Sequence, residues 1–327
     1  MVLILSRKDV ESILTMQDAI DAVEAGFREL ATGSVKMPVR TGIRVEGPGG
    51  VFLTMPAYLS GSQALGVKVV TVYPKNPSQH RLPTTIASLL LNDPETGAPV
   101  CLMDASFLTA MRTGAVTAVA GKYLARQDSK TVGLFGAGTQ ARTQLLAICA
   151  VRDIKRAKVY DVDSARLEAF CKEMSKLTGI PVEAVKDSRL AVEGSDVVIT
   201  ATTSKTPIFK GEWLKEGTYV SGIGSHSPDA RELDEVTIKR SKLVVDQREA
   251  ALAEAGDIIT PIKDGVITDK HIYAELGEIV SGKKQGRTSR DEIALFKSCG
   301  LAVQDISTAK RIYELASKRK IGMTVAL

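Results

Sequence analysis

The stretch Thr131–Ala141 reads TVGLFGAGTQA: a short apolar run, two glycines spaced G-x-G, then residues that open a helix. With Ala141 the turn completes G-x-G-x-x-A in the strand–turn–helix setting that such a motif requires. The first glycine, Gly136, suits a tight turn, and the second, Gly138, lets backbone approach a pyrophosphate. The small Ala141 permits close packing of helix on strand. Thr139 and Gln140 begin the helix, whose N-terminal N–H groups offer partial positive charge to phosphates. The next strand closes with Lys158-Val159-Tyr160-Asp161, placing an acid 25 residues beyond Gly136. There Asp161 would accept hydrogen bonds from ribose hydroxyls and repel a 2′-phosphate, which favours NAD(H) over NADP(H). Arg166, close by, works against that preference.

Outward from this turn the chain keeps one rhythm on the C-terminal side. Strands are expected at Thr131–Phe135, Lys158–Asp161, Asp196–Thr200, Tyr219–Ile223 and Leu243–Asp246. Helices fall between them, to about Cys149 and over Ala165–Leu177. That alternation predicts an α/β fold with a doubly wound parallel sheet of Rossmann type. On the N-terminal side the pattern differs. Ile20, Val23, Phe27 and Leu30 lie at helical spacing in Asp18–Leu30. Short alternating runs follow at Arg40–Val45, Val51–Met55, Gly66–Tyr73 and Thr84–Asn92, predicting an antiparallel or mixed sheet. Ser106–Arg126 reads as a helix bent near Gly114, and Ser298–Arg319 as a long helix returning to the first domain. The expected organisation is residues 1–114 completed by 303–327 as an α+β substrate and dimerisation domain, with 115–302 as the dinucleotide domain.

The bulk properties exclude several classes. A chain of 327 residues that is 44% hydrophobic and 25% charged is built to bury a core. No apolar run is long enough to span a bilayer and no signal peptide is evident, so a cytoplasmic protein without membrane attachment is expected. The net charge of +5 is spread over interleaved acids and bases, and only 5% of residues are aromatic, which gives no platform for nucleic acid. Four scattered cysteines make no metal or disulfide pattern, so buried free thiols and no metal are expected. The run Lys283-Lys284-Gln285-Gly286-Arg287 reads as a solvated turn or an anion contact.

Charges in apolar settings mark candidate site residues. In GVKVVTVY (Gly66–Tyr73), Lys68 shares a strand face with Val70 and Val72. It is either exposed at the sheet edge or desolvated, with a lowered pKa suited to acid–base work. Arg112 has Leu108, Ala115, Val116 and Val119 as helical neighbours. It requires a carboxylate, either from a substrate or from the protein, such as Asp104. Arg40 opens a strand and would join them, with Arg44 as a competitor. The segment SGIGSHSPDARELD (Ser221–Asp234) follows a strand whose carboxyl end should border the nicotinamide. Its His226 and Asp229 are candidates for handling a proton or binding an amino group.

These residues, together with Met55-Pro56-Ala57-Tyr58, Met103-Asp104-Ala105, Met111-Arg112-Thr113-Gly114-Ala115 and Gly300-Leu301-Ala302-Val303-Gln304-Asp305, resemble the ornithine cyclodeaminase/mu-crystallin family over essentially the whole chain. The combination R-T-G-A followed by G-x-G-T-Q is specific to it. The resemblance implies a homodimer that binds NAD(P)(H). It also implies hydride transfer between nicotinamide C4 and the Cα of a small anionic amino acid or its imine. Arg40, Lys68 and Arg112 then correspond to the grip on the substrate carboxylate, with Lys68 near the reacting nitrogen. Thr113 and Gly114 join Gly136, Gly138, Thr139 and Gln140 at the cofactor. One departure matters: where the cyclodeaminases place an aspartate directly after G-x, this chain has His226, and the acid has moved to Asp229. The form P-D-x-R-E-L-D is more like the imine-reducing members. An oxidoreductase acting on a cyclic ketimine such as Δ1-pyrroline-2-carboxylate, or an alanine dehydrogenase-type enzyme, is therefore the leading expectation. Ornithine cyclodeaminase, a lyase with recycled NAD, and a non-catalytic binding protein are the alternatives.

Overall fold

The computed structural model describes residues 1–326. The chain divides into two compact units, Met1–Arg112 with the chain from Leu301 onward, and Thr113–Gly300. In chain order the first part of unit one contains β1 (Val2–Leu5), α1 (Arg7–Ile13), α2 (Met16–Ala31), β2 (Val35–Lys36) and β3 (Thr41–Val45). It continues with β4 (Gly50–Leu59), β5 (Ala64–Val72), α3 (Asn76–Gln79), β6 (Thr85–Asn92), β7 (Pro99–Asp104) and the first residues of α4 (Ser106–Leu124). Unit two begins within α4 and runs through β8 (Thr131–Phe135), α5 (Thr139–Val151), β9 (Arg156–Tyr160), α6 (Ser164–Thr178) and β10 (Val182–Ala184). Next come α7 (Ser188–Val192), β11 (Val197–Thr200), β12 (Tyr219–Gly222), α8 (Glu235–Arg240), β13 (Ser241–Val245), α9 (Arg248–Glu254) and α10 (Gly256–Lys263). The last elements of unit two are β14 (Ile272–Glu275), α11 (Leu276–Val280) and β15 (Ile293–Lys297); α12 (Ala302–Arg319) and β16 (Met323–Val325) return to unit one.

The sheet of unit one has the order β16-β1-β7-β6-β5-β4-β2, with β3 also paired to β4. Only β1 and β7 run parallel; the remaining pairs are antiparallel. One face is covered by α12, which packs on β4, β5 and α2. The helix α2 forms because Thr15 and Asp18 make a reciprocal capping box, and Ala19, Ile20, Val23 and Phe27 then fall on one buried stripe. Each of those larger apolar side chains contributes roughly 1.5–3 kcal/mol by burial. Gly26 lets α12 approach, since a Cβ there would lie 3.1 Å from the Ser307 hydroxyl. Pro56, without an N–H, falls in β4 between the stretch paired to β3, which ends at Thr54, and the stretch paired to β2, which begins at Tyr58.

Unit two has the sheet order β10-β9-β8-β11-β12-β15-β13-β14, parallel throughout. The strand order reverses between β8 and β11, the switch point where a doubly wound sheet opens a crevice at its carboxyl edge. The central strands are buried on both faces; β8, β11, β12 and β15 are buried at every position.

Several local expectations are corrected. The helix Ser106–Leu124 is continuous at Gly114, and the glycine is explained by packing: a Cβ would lie 2.5 Å from the carbonyl oxygen of Thr143 on α5. The returning helix starts at Ala302, because Ser298, Cys299 and Gly300 are drawn instead onto the Asp246 carboxylate at 2.8 Å each. The basic run is a solvated turn only in part: Lys283 and Gln285 are exposed, while Arg287 is drawn inward. Arg287 donates to the carbonyl oxygens of Leu124, at the end of α4, and of Gly217. The four cysteines are free thiols, and burial pushes Cys101 up to about 12 and Cys149 and Cys171 up to about 11. Among the described residues no helix is long and apolar enough to cross a membrane.

Candidate active site

In unit one the register places Lys68 in a row across four strands: Met55 on β4, Lys68 on β5, Leu89 on β6 and Met103 on β7. All four are at most 3% exposed. The alternatives left by the sequence are thereby resolved: Lys68 stands on the face covered by α12, not at an exposed edge. An ammonium there requires a partner, and the first turn of α12 supplies it. Lys68 Nζ is 2.8 Å from Asp305 Oδ2, and Arg112 Nε is 2.9 Å from Asp305 Oδ1. The carboxylate, itself 0% exposed, therefore joins the two cations. A terminal nitrogen of Arg112 donates to Gln304 Oε1 at 2.6 Å, and Gln304 Nε2 is buried without a hydrogen-bond partner. Asp104, considered from sequence as the partner of Arg112, instead accepts from the N–H and hydroxyl of Ser106 at the start of α4.

The pKa of Lys68 is lowered to about 7. Burial is the main cause, and the charges of Arg112 and Arg40 act in the same direction, while Asp305 opposes them. Arg40, half-buried just ahead of β3, is therefore the arginine whose field reaches Lys68. Its competitor Arg44 is exposed on β3. Such a cluster holds more positive than negative charge in a desolvated place. That environment favours an added anionic group, and a lysine poised near neutrality can give or take a proton.

In unit two the glycine turn follows β8 directly. Gly136 has φ +98°, and a Cβ on it would lie 2.5 Å from the carbonyl oxygen of Ala201 after β11. Gly138 is the N-cap of the thirteen-residue helix α5 and makes no side-chain cap; a Cβ there would meet nothing within 4 Å. Thr139 and Gln140 are the first two helical residues, and the Gln140 Oε1 atom is buried without a hydrogen-bond partner. Thr113 is buried, its carbonyl oxygen accepting from Gln144 of α5 at 2.9 Å. An uncapped helix N-terminus beside open backbone fits a dinucleotide pyrophosphate. Asp161 lies just past β9. Its Oδ2 accepts from the Ala137 N–H at 2.7 Å, and its Oδ1 from the Asp163 N–H at 2.9 Å and from Arg166 at 2.7 Å. Burial works against its ionisation, but these bonds prevail and hold the carboxyl below its usual range. Asp161 is thus fastened to the glycine turn itself, with Arg166 half-exposed and paired to it.

His226 and Asp229 both stand exposed on the loop that leaves β12. A ring nitrogen of His226 lies 3.2 Å from the carbonyl oxygen of Gly224. Among the described residues, no group of three or more acids, histidines and cysteines is arranged to hold a metal ion. Sequence reasoning found Lys68 and Arg112 but assigned no role to Asp305 or Gln304. The available signal was an acid at the first turn of an otherwise buried helical stripe, three residues from Ala302 and one from Ile306.

Fold and site together define an α/β protein with a Rossmann-type parallel sheet and, on its other unit, a buried cation cluster bridged by a carboxylate. The sequence model of the ornithine cyclodeaminase/mu-crystallin family matches residues 2–320, and the chain belongs to that family. It is 40% identical over 323 residues to an alanine dehydrogenase of Archaeoglobus fulgidus, covering 99% of this chain and 98% of that one. Its structure resembles that of Thermococcus litoralis Δ(1)-pyrroline-2-carboxylate reductase in complex with NADH and L-proline, with a TM-score of 0.97 at 52% identity. That match covers 99% of this chain and 100% of the other. An archaeal alanine dehydrogenase dimer with bound NAD gives a TM-score of 0.94 at 39% identity, covering 99% of each chain.

Proposed function

We propose that this protein is an NAD(H)-dependent oxidoreductase of a small α-amino acid and its imine, with Δ1-pyrroline-2-carboxylate and L-proline as the pair its site best suits. The observation that carries this reading is the buried Lys68–Asp305–Arg112 cluster, which combines an anion grip with a base poised near pH 7. The likeness to a reductase solved with NADH and L-proline gives it a substrate class. Arg112, Arg40 and Lys68 hold the substrate carboxylate, and the Gln304 amide, which has N–H groups to offer, adds to that grip. Lys68 as the ammonium delivers a proton to the substrate nitrogen during reduction and takes it back during oxidation. The bound dinucleotide supplies the hydride for the substrate Cα. Gly136, Gly138, Thr139 and Gln140 hold its pyrophosphate, with Thr113 and Asp161 as further contacts, and His226 and Asp229 assist proton movement at the nicotinamide end. NADP(H) is the weaker partner, because a 2′-phosphate would meet Asp161.

Cyclodeamination of ornithine is the competing reading, and stoichiometry separates the two. The purified protein with Δ1-pyrroline-2-carboxylate should consume one NADH per proline formed. Ammonia released from ornithine with only catalytic NAD and no net change in NADH would replace this reading with the lyase.

The cofactor turn carries its own prediction. Gly138 has φ −93°, an ordinary value for any residue, and open space at its Cβ. Gly138→Ala should therefore change stability by no more than about 1 kcal/mol while weakening NADH binding at least tenfold in a fluorescence titration. Unchanged NADH affinity in a folded variant would remove the pyrophosphate from this turn.

We also propose a homodimer through the uncovered face of the sheet in unit one. Met323, Ile4, Leu102, Leu90, Val67 and Pro56 are register partners in one apolar row crossing six strands on that face. Met323 is 63% exposed and Leu102 42%, more than a monomer gains from leaving in water. A monomer in sedimentation velocity at micromolar concentration would exclude this assignment.

A further inference from the structure

The loop bearing His226 and Asp229 is exposed, yet it springs from a polar network that is wholly buried. Glu232, Asp257 and Lys297 are each 0% exposed. Glu232 Oε1 accepts from the N–H and the hydroxyl of Thr202, both at 2.7 Å. Its Oε2 accepts from the Thr200 hydroxyl at 2.8 Å and the Gly224 N–H at 2.7 Å. All four acceptor positions of the carboxylate are thereby filled. Thr200 and Thr202 belong to the end of β11 and the turn after it, and Gly224 to the turn after β12. One side chain thus ties together two neighbouring loops at the carboxyl edge of the sheet.

The rest of the network holds Glu232 in turn. Asp257 Oδ1 accepts from the N–H groups of Glu232 at 2.7 Å and Leu233 at 2.9 Å. Asp257 Oδ2 is 2.8 Å from Lys297 Nζ, which also donates to the Ser225 carbonyl oxygen at 2.6 Å. Beneath the loop, Gly256 N–H bonds the Ser227 carbonyl at 3.2 Å, and a Cβ on Gly256 would lie 2.1 Å from the carbonyl oxygen of Ala230. Both ends of the segment from Gly224 to Leu233 are therefore pinned by buried charges, while His226 and Asp229 project between them. Burying three ionisable groups is costly, and local packing would be served as well by apolar side chains of the same size. What apolar residues cannot do is fix two backbone N–H groups and two threonine hydroxyls at one point.

We infer that Glu232 is a positioning residue of the catalytic edge: it sets the loops after β11 and β12 in register and so fixes where His226 and Asp229 stand. This rests on the oxidoreductase reading for its consequence in turnover but not for its structural content. Glu232→Gln preserves size but sets an amide NH2 against two donors. With Δ1-pyrroline-2-carboxylate, kcat should fall by on the order of 10²-fold, the effect of an ångström-scale misplacement. NADH affinity should fall far less than kcat, because Glu232 makes no bond to the glycine turn, which meets this loop only where Gly136 approaches Ala201 and Thr202. The deuterium isotope effect on kcat with C4-deuterated NADH should rise as hydride transfer becomes limiting. Gly256→Ala, which lifts the same loop from below without altering a charge, should reproduce that pattern. Amide hydrogen exchange at Gly224 and Thr202 should accelerate in Glu232→Gln, a readout that needs no turnover. If the wild-type protein reduces no imino acid, the oxidoreductase reading fails while the exchange result still decides the positioning role. A folded Glu232→Gln with wild-type kcat, isotope effect and exchange would overturn the inference, as would a loss of NADH affinity in proportion to kcat.

Discussion

Replacing Asp305 with Asn should both loosen the fold and shift the pH dependence of the reaction towards acid. Asp305 is joined to both Lys68 and Arg112 in a place closed to water. Removing one member of a buried ion pair costs roughly 3–5 kcal/mol, because the charges left behind have neither partner nor solvent. Lys68 can relieve this by losing its proton. Asp305 raises the Lys68 pKa through its charge and its hydrogen bond, against burial and the two arginines. Without it, the folded-state value must fall below about 7. In the variant Lys68 is then largely neutral at pH 7, and the proton needed for imine reduction is missing. Urea unfolding and kcat/KM measured against pH test both parts. A variant within 1 kcal/mol of the wild type by that unfolding measurement, with its inflection unmoved, would show that Asp305 does not organise the cluster.

Arg112→Lys should act chiefly on substrate binding. The guanidinium reaches Asp305 through Nε and Gln304 through a terminal nitrogen, leaving its other terminal nitrogen as the proposed carboxylate contact. A lysine ammonium on a flexible stem cannot satisfy three directions from one plane. The lost charge-assisted hydrogen bond is worth roughly 1.5–3 kcal/mol, so kcat/KM should fall by roughly 10- to 10²-fold, most of it in KM. If kcat alone falls and KM is unchanged, Arg112 supports the transition state in some other way and is not the carboxylate anchor.

Most of the fold was legible because its signals are local. The strand–turn–helix around Gly136 and Gly138 needed only eleven residues, and the alternation after it gave the parallel sheet. The amphipathic stripe of α2 and the alternating runs of β5 and β6 were equally plain. What escaped were elements without periodicity. The strand Ile293–Lys297 is buried at every position and ends in a charge, so no period of two marks it. At the site, Lys68 and Arg112 stood out as charges among apolar neighbours, but their shared partner Asp305 lies 193 residues from Arg112, and no local pattern spans that distance. Asp104 was the nearer guess, and its commitment to Ser106 is a helix-start preference that proximity alone concealed. His226 and Asp229 were found as residue types, while the buried Glu232 that anchors their loop was given no role.

The central claim is that Lys68 is the proton donor of a reductive reaction at a site where its pKa lies near neutrality. The measurement that tests it most directly is kcat/KM for Δ1-pyrroline-2-carboxylate reduction by NADH from pH 5.5 to 9, approximate limits chosen to bracket that pKa, for the wild type and for Lys68→Met. Because the donor is the ammonium form, the wild-type value should be level below about 7 and fall about tenfold per pH unit above it. The variant, lower throughout, should have lost that inflection and retain only the titration of the substrate. A wild-type profile that stays level through this range, or an inflection that survives in Lys68→Met, would contradict the assignment.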